Sequence, residues 1–253
     1  MLITLKTAPE IEKIQKAGKI ILAAFKYLKE NRLIQLNITT EELNDMIEKF
    51  IYRQGGRPAF KGYRGFPKAV CVSINEEVVH GIPSKRALEN ADLVKIDIGV
   101  EYNGYFADAA RTFWVGSVNE SVQRLCFVTK QALKIGIKAV KAGAHLSDIS
   151  NAIQVFVEKN GFSVVRDLGG HGIGAALHED PLVPNFGPPG NGPVLEPGVV
   201  LAIEPMVNIG KPDVLTKENG WTIVTRDGSI SAHFEDTVVV TEQGTVNLTN
   251  GAS

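Results

Sequence analysis

Apolar residues recur at helical spacing from Ile11 to Leu28, and Thr7, Pro9 and Glu10 just ahead supply the chemistry that starts a helix. A second helix is expected to begin near Thr39 or Thr40, where Glu42 completes a capping box, and to end before Gly55-Gly56. Residues 57–67 are rich in Gly, Pro and aromatics and read as a surface loop, and residues 69–74 as a short strand. A turn with His80-Gly81-Ile82-Pro83 leads into residues 94–111, VKIDIGVEYNGYFADAAR. There, apolar and β-branched residues flank Asn103-Gly104, the dipeptide suited to a two-residue type I′ turn, so a hairpin is expected. In that register Tyr102 faces Tyr105 and Asp108 faces Gly99, with Asp97 two residues further along the same face.

The order of helix, helix and strands then repeats. Helices are expected over 120–141, stopping at Gly143, and from Ser147 as N-cap to Gly161. A shift of 106 residues lays Leu43 on Ile149, Ile47 on Ile153, Phe50 on Phe156, Ile51 on Val157 and Gly55 on Gly161. The shared order supports a duplicated α+β unit. Residues 168–178 are Gly-rich, and 199–207 and 229–241 read as strands. Nothing resembles a linker, so residues 1–253 are expected to form one domain with similar halves, roughly 1–116 and 117–253.

Composition narrows the class. Hydrophobic residues make up 44% and charged residues 22% of the chain, ordinary for a globular protein with a substantial core. Cys71 and Cys126 lack metal or redox spacing and read as reduced thiols. No apolar run is long enough for a bilayer, and the N-terminus lacks a secretory h-region, so a cytoplasmic protein is expected. Residues 1–68 carry a balance of +6 and the remainder −7. A basic first quarter would suit a polyanionic surface such as ribosomal RNA, although a solvated lysine-rich helix face explains it as simply. No RNA- or DNA-binding motif is visible, and nothing asks for a partner subunit, so a monomer is expected.

The hairpin aims Asp97 and Asp108 at one point, as diagonal neighbours roughly 7–8 Å apart at the backbone. Asp97 interrupts an apolar run with no basic residue in register, so its unpaired burial would be costly and a cation would hold the two acids together. Further candidates are His171 in GGHGIG, His178 in LHEDP, Glu204 just before Pro205, and Glu235 in SAHFEDTVVV. Each alone has a structural explanation. Together they form an oxygen-rich set with one or two imidazoles, which suits Mn, Fe or Co. Four carboxylates exceed the needs of one ion, and two ions sharing bridging carboxylates would use them all. GGHGIG does not fit the dinucleotide pattern, and no P-loop, G-x-S-x-G elbow or H-E-x-x-H helix is present. Hydrolysis assisted by two metals is the chemistry left standing.

The ordered motifs HGIP, D-x10-D, GHGIG-x3-HE-x-P, IEPM and FEDT resemble type I methionine aminopeptidases. That family has the pita-bread fold shared with prolidase and creatinase. The resemblance covers essentially the whole chain and fits the short bacterial or organellar form. It implies an α+β fold of pseudo-two-fold duplicated helix-helix-strand units around a central antiparallel sheet, with the helices outside and two divalent ions within. By this resemblance Asp97 chelates one ion, His171 and Glu204 bind the other, and Asp108 and Glu235 bridge them. A metal-bridging water or hydroxide would attack the carbonyl of the N-terminal methionine of nascent chains whose second residue is small. Glu204 would move the proton, His178 would hydrogen-bond the scissile group, and His80 would contact the substrate backbone and leaving group. The methionine pocket would comprise Cys71, Tyr63, Phe66, Trp221 and Leu177. The backbone carbonyls of Asn75, Glu77 and Ser231 match a monovalent-cation site. Leu177, Ala175, Ala176, His233 and Asp236 depart from the residues commoner in the family.

Two alternatives remain open at this level. A prolidase or aminopeptidase P shares the fold but usually carries an additional N-terminal domain, for which the residues before His80 leave no room. A non-enzymatic binding protein of the same fold typically loses ligands, whereas all five stand here.

Overall fold

A computed structural model describes residues 3–250. The first half contains α1 (Ala8–Glu30), α2 (Thr40–Arg53), β1 (Arg57–Pro58), β2 (Cys71–Ile74), β3 (Glu77–Val79), β4 (Leu93–Tyr102) and β5 (Tyr105–Trp114). The second contains α3 (Glu120–Ala139), α4 (Leu146–Lys159), β6 (Ser163–Val164), β7 (Gly169–Gly172), β8 (Glu179–Pro184), β9 (Val200–Ile203) and β10 (Met206–Asn208). It continues through β11 (Val214–Thr216), β12 (Ile223–Thr225), β13 (Ser231–His233), β14 (Asp236–Thr241) and β15 (Gly244–Asn247).

Local chemistry sets the helix starts. The Thr7 amide and hydroxyl both donate to the Glu10 carboxylate at 2.7 Å, and Thr39 does the same with Glu42 at 2.8 and 2.7 Å. Downstream, α1 turns Ile14, Ala17, Ile21, Ala24 and Leu28 fully inward, against β4 and β5. The duplication is visible in these details. Leu43, Ile47 and Ile51 of α2 are fully buried, and so are Ile149, Ile153 and Val157 of α4. Gly55 and Gly161 end the two helices with φ of 80° and 82°. The cap of α4 is His145, not Ser147. Its N–H donates to the Asp148 carboxylate at 2.9 Å, while the Ser147 hydroxyl accepts from the Asn191 N–H.

Every strand pairing is antiparallel. In the first half β4 is central, flanked by β5 on one side and by β1 and β2 on the other; in the second, the order is β15-β14-β9-β7-β8. One apolar cluster fills the space between α1, α2 and the first sheet, and another lies beneath α3 and α4. This is the layered pita-bread architecture, with helices outside and sheet within. The β4–β5 hairpin has the register read from the sequence, with Tyr102 opposite Tyr105, Gly99 opposite Asp108, and positive φ at both Asn103 and Gly104.

Two further expectations are corrected. Residues 57–67 do not form a plain surface loop: β1 pairs with β4, and Ala59, Phe60 and Phe66 are buried. A Cβ on Gly99 would come within 2.5 Å of the Phe60 ring, so the glycine is what lets this segment fold inward. The strands expected over 199–207 and 229–241 are each broken, the first at Glu204-Pro205 and the second at Phe234-Glu235. Proline has no N–H to continue the first ladder.

Candidate metal centre and substrate pocket

Both breaks carry a carboxylate, and the sheet register brings those carboxylates to the hairpin. Cys71, Asp97 and Ala110 are directly paired across β2, β4 and β5. The Glu235 N–H donates to the Ala110 carbonyl at 3.0 Å, which extends the same row by one residue. Asp108 lies diagonally beside Asp97, and its N–H donates to the Thr237 hydroxyl oxygen at 3.0 Å. From the other side β7 presents His171 between glycines. A Cβ on Gly170 would meet the Ala202 carbonyl oxygen at 2.2 Å, and one on Gly172 the Asp180 carbonyl oxygen at 2.2 Å. The close backbone packing of β7 against its neighbours therefore explains the glycines of GGHGIG.

Asp108, His171 and Glu235 each offer a ligand atom within 4.8 Å of the others. The Glu204 carboxylate joins them, its Oε1 3.7 Å from His171 Nε2 and its Oε2 3.6 Å from His233 Nε2. His171 Nδ1 lies 2.9 Å from the Gly172 carbonyl oxygen, which only accepts. That contact puts the proton on Nδ1 and leaves the Nε2 lone pair free for a metal.

The electrostatics demand a cation. Burial and then mutual repulsion hold Asp97, Glu204 and Glu235 well above the ordinary carboxylate range, and burial brings Asp108 up to about 7. Asp97 Oδ1, Asp108 Oδ1 and Glu235 Oε1 are buried without a hydrogen-bond partner among the described residues. The nearby cations are engaged elsewhere: Arg111 with backbone carbonyls and Asp236, Lys95 with the carbonyls of Asn75 and Ser231. Burial lowers His171 to about 4, so it is a neutral donor. An oxygen-rich, partnerless, buried set with one free imidazole nitrogen fits hard divalent ions.

A cavity of about 150 Å³ opens onto these groups. Asp97, Asp108, His171, Glu204 and Glu235 line it, together with His80, His178, Cys71, Tyr63, Phe66, Leu177 and Trp221. Phe66 and Trp221 meet edge to face, with centroids 5.2 Å apart. Phe60 and Arg64 also line the cavity, although the sequence reading leaves both in a surface loop. Three aromatics in a Gly- and Pro-rich segment hinted at Phe60, and nothing in the sequence singled out Arg64. His233, named among the departures from the family, is buried beside Glu204, a contact that the sequence does not show. Asn75, Glu77 and Ser231 are not in the cavity wall. At the carbonyls where the resemblance implied a dissolved monovalent cation, the Lys95 ammonium accounts for two of the three.

The profile of metallopeptidase family M24 matches residues 12–242. A methionine aminopeptidase of Clostridium perfringens (strain 13 / Type A) is 50% identical over 248 residues, covering 98% of this chain and 99% of that protein. The chain belongs to the methionine aminopeptidases of family M24. The crystal structure of the methionine aminopeptidase from Rickettsia prowazekii superposes with a TM-score of 0.96 at 41% identity, over 98% of this chain and 100% of that one. The prolidase from Pyrococcus furiosus is more distant, with a TM-score of 0.79, 27% identity, and coverage of 98% of this chain but 66% of that one. Within the methionine aminopeptidase framework the departures of this chain have local explanations. Asp236 accepts from Arg111, Asn247 and Thr249, and Leu177 is a buried cavity wall. Ala175 and Ala176 are exposed. Among the described residues no helix is long and apolar enough to cross a membrane.

Proposed function

We propose that the protein removes the N-terminal methionine from nascent polypeptides whose second residue is small, using two divalent ions drawn from Mn, Fe and Co. The observation that carries this reading is a single cavity that joins four buried carboxylates and His171 to a pocket of thiol, aromatic and aliphatic side chains. In this reading Asp97 would hold one ion, His171 and Glu204 would hold the other, and Asp108 and Glu235 would serve both. Bound there, the ions would acidify water and stabilise the oxyanion that develops on the methionine carbonyl.

The chain's own residues do the rest. Cys71, Phe66, Trp221, Tyr63 and Leu177 receive the thioether side chain, for which a polarisable and aromatic lining is suited. Burial pushes the Cys71 thiol up, so it contributes as a neutral wall and not as a nucleophile. Glu204 would carry the proton between the attacking water and the leaving amine; in the metal-free protein burial and Asp108 raise its pKa. Partial burial, followed by His171, His80 and Arg64, lowers the His178 pKa, so its neutral ring can donate to the scissile carbonyl. His80, lowered by burial, contacts the substrate backbone. The rings of His171, His178 and Tyr63 crowd the rim, with centroids 4.1 and 5.1 Å apart, and this supports a small second residue.

The two halves, near 1–116 and 117–253, are read as one catalytic domain of a cytoplasmic monomer. The basic first quarter is read as its transient contact with the ribosome. The test is turnover of Met-Ala-Ser against Gly-Pro after metal removal and readdition of Mn or Co. Metal-dependent release of methionine from the first peptide alone is expected. Cleavage of Gly-Pro instead would replace this reading with a prolidase, and silence on both peptides with metal bound would remove the enzyme reading.

A further inference from the structure

A buried lysine joins the two halves behind the carboxylates. Lys95 lies on β4 two residues before Asp97, so both side chains leave the same face of that strand. It is 1% exposed, yet it forms no ion pair among the described residues. Its Nζ donates instead to the Asn75 carbonyl at 2.7 Å and the Ser231 carbonyl at 3.1 Å. The Asn75 carbonyl also accepts the Ser231 N–H at 3.1 Å, so the two backbone segments that meet at the Lys95 nitrogen are also bonded to each other.

Each segment is held from behind. Asn75 adopts a left-handed φ of 53°, and its side chain donates to Asp92 at 3.0 Å and accepts the Leu93 N–H at 2.9 Å. Arg86 in turn holds Asp92 with two bonds, at 2.6 and 3.0 Å. The Ser231 hydroxyl donates to the Val207 carbonyl at 3.1 Å. Ser231 opens β13, whose far end leads directly into Glu235. The Lys95 nitrogen therefore ties the strand that carries Asp97 to the strand that leads into Glu235.

Lysine is among the residues least often fully buried, and two carbonyl oxygens aimed at one point repel each other unless a strong donor or a cation lies between them. The Lys95 amine brings its own donor hydrogens to both carbonyls and so meets that need without an ion from solution.

The geometry points to Lys95 as a built-in monovalent cation, which joins the Asn75 and Ser231 carbonyls across the two halves and sets the spacing of Asp97 and Glu235. It is a positioning residue, since it touches no metal-ligating side chain. The idea rests on the metal-site reading above and extends it: the protein needs no dissolved Na+ or K+.

The test titrates Mn(II) by calorimetry, and records Tm, for wild type and K95A in chloride salts of Na+, K+, ethylammonium and tetramethylammonium at equal ionic strength. Wild type is expected to behave identically in all four salts. K95A is expected to bind Mn(II) about 10-fold or more weakly in tetramethylammonium, the scale of losing a group that orients metal ligands. Its affinity and Tm should both recover in Na+, K+ or ethylammonium, which fit between two carbonyls, whereas tetramethylammonium does not. Three results would overturn the proposal: K95A matching wild type in tetramethylammonium, a loss that no cation restores, or a wild type that itself responds to Na+ or K+. Should K95A fail to fold, K95S keeps an oxygen facing the same space and carries the same expectations. Failure of wild type to bind Mn(II) in any salt would defeat the metal reading, while the pattern of Tm across salts would still decide the role of Lys95.

Discussion

His178 Nδ1 lies 2.9 Å from the Tyr63 hydroxyl, so a residue of the first half orients the ring of one from the second. The hydroxyl can donate to Nδ1, which would leave the Nε2–H of the ring free to donate into the cavity. Under the proposed function, this arrangement would let His178 serve the substrate and leave metal binding to its neighbours.

His178→Ala is therefore expected to lower kcat/KM for Met-Ala-Ser about 100-fold, the scale of removing one oxyanion donor. Bound metal should remain stoichiometric. Tyr63→Phe, which removes only the orienting hydroxyl, should lose less. Elemental analysis beside steady-state kinetics checks both variants, and loss of metal from His178→Ala would make the ring a ligand.

Asp108→Asn and Glu235→Gln should each lose metal affinity and turnover together, because each removes a charge that both ions would share in the proposed site. A fall of about 100-fold or more in kcat/KM is expected, beyond the 10–100-fold range typical of residues that only support ligands. Unchanged turnover in either variant would remove its bridging role.

Chelation should make the protein's stability depend on pH in an unusual direction. Asp97, Asp108, Glu204 and Glu235 all have raised pKa values, with Asp108 at about 7. Such groups keep protons in the folded state that the unfolded chain has already lost. Stability is then lost as pH rises from the ordinary carboxylate value near ~4 through the folded pKa. The metal-free protein should have a lower Tm at pH 7.5 than at pH 5, and Mn(II) should restore much more at pH 7.5. A metal-free Tm that climbs between those pH values would contradict the electrostatic account.

Arg111 fixes the backbone around Glu235, donating to the Glu235 carbonyl, to Asp236 at 2.6 Å and to the Thr249 carbonyl at 2.9 Å. Arg111→Met strands the buried Asp236 charge and should cost about 3 kcal/mol, the low end for breaking such a pair. Urea denaturation checks this, and a loss below about 1 kcal/mol would show that Asn247 and Thr249 suffice to hold Asp236.

The elements that could be read from the chain are those whose physics is local. The Asn103-Gly104 turn sets the hairpin register because only a two-residue primed turn suits that dipeptide, and the register alone brings Asp97 and Asp108 together. The Thr39 capping box was equally plain, whereas the matching cap at His145 was obscured because histidine is not a usual partner for Asp148. Residues 57–67 misled for a similar reason: Gly and Pro mark a turn, but they do not say which way its aromatics face.

Sequence alone determined the helix faces, the hairpin, the acids and histidines worth suspecting, and the family motifs that order them. Periodicity and turn chemistry act over a few residues, and so survive translation into a one-dimensional pattern. Only the tertiary structure decided that β9–β10 and β13–β14 break where Glu204 and Glu235 stand, that Phe60 and Arg64 reach the cavity, and that Lys95 answers the carbonyls of Asn75 and Ser231. The Lys95–Ser231 contact joins residues more than a hundred positions apart, and the packing of Phe60 on Gly99 is also non-local, so no local propensity encodes either.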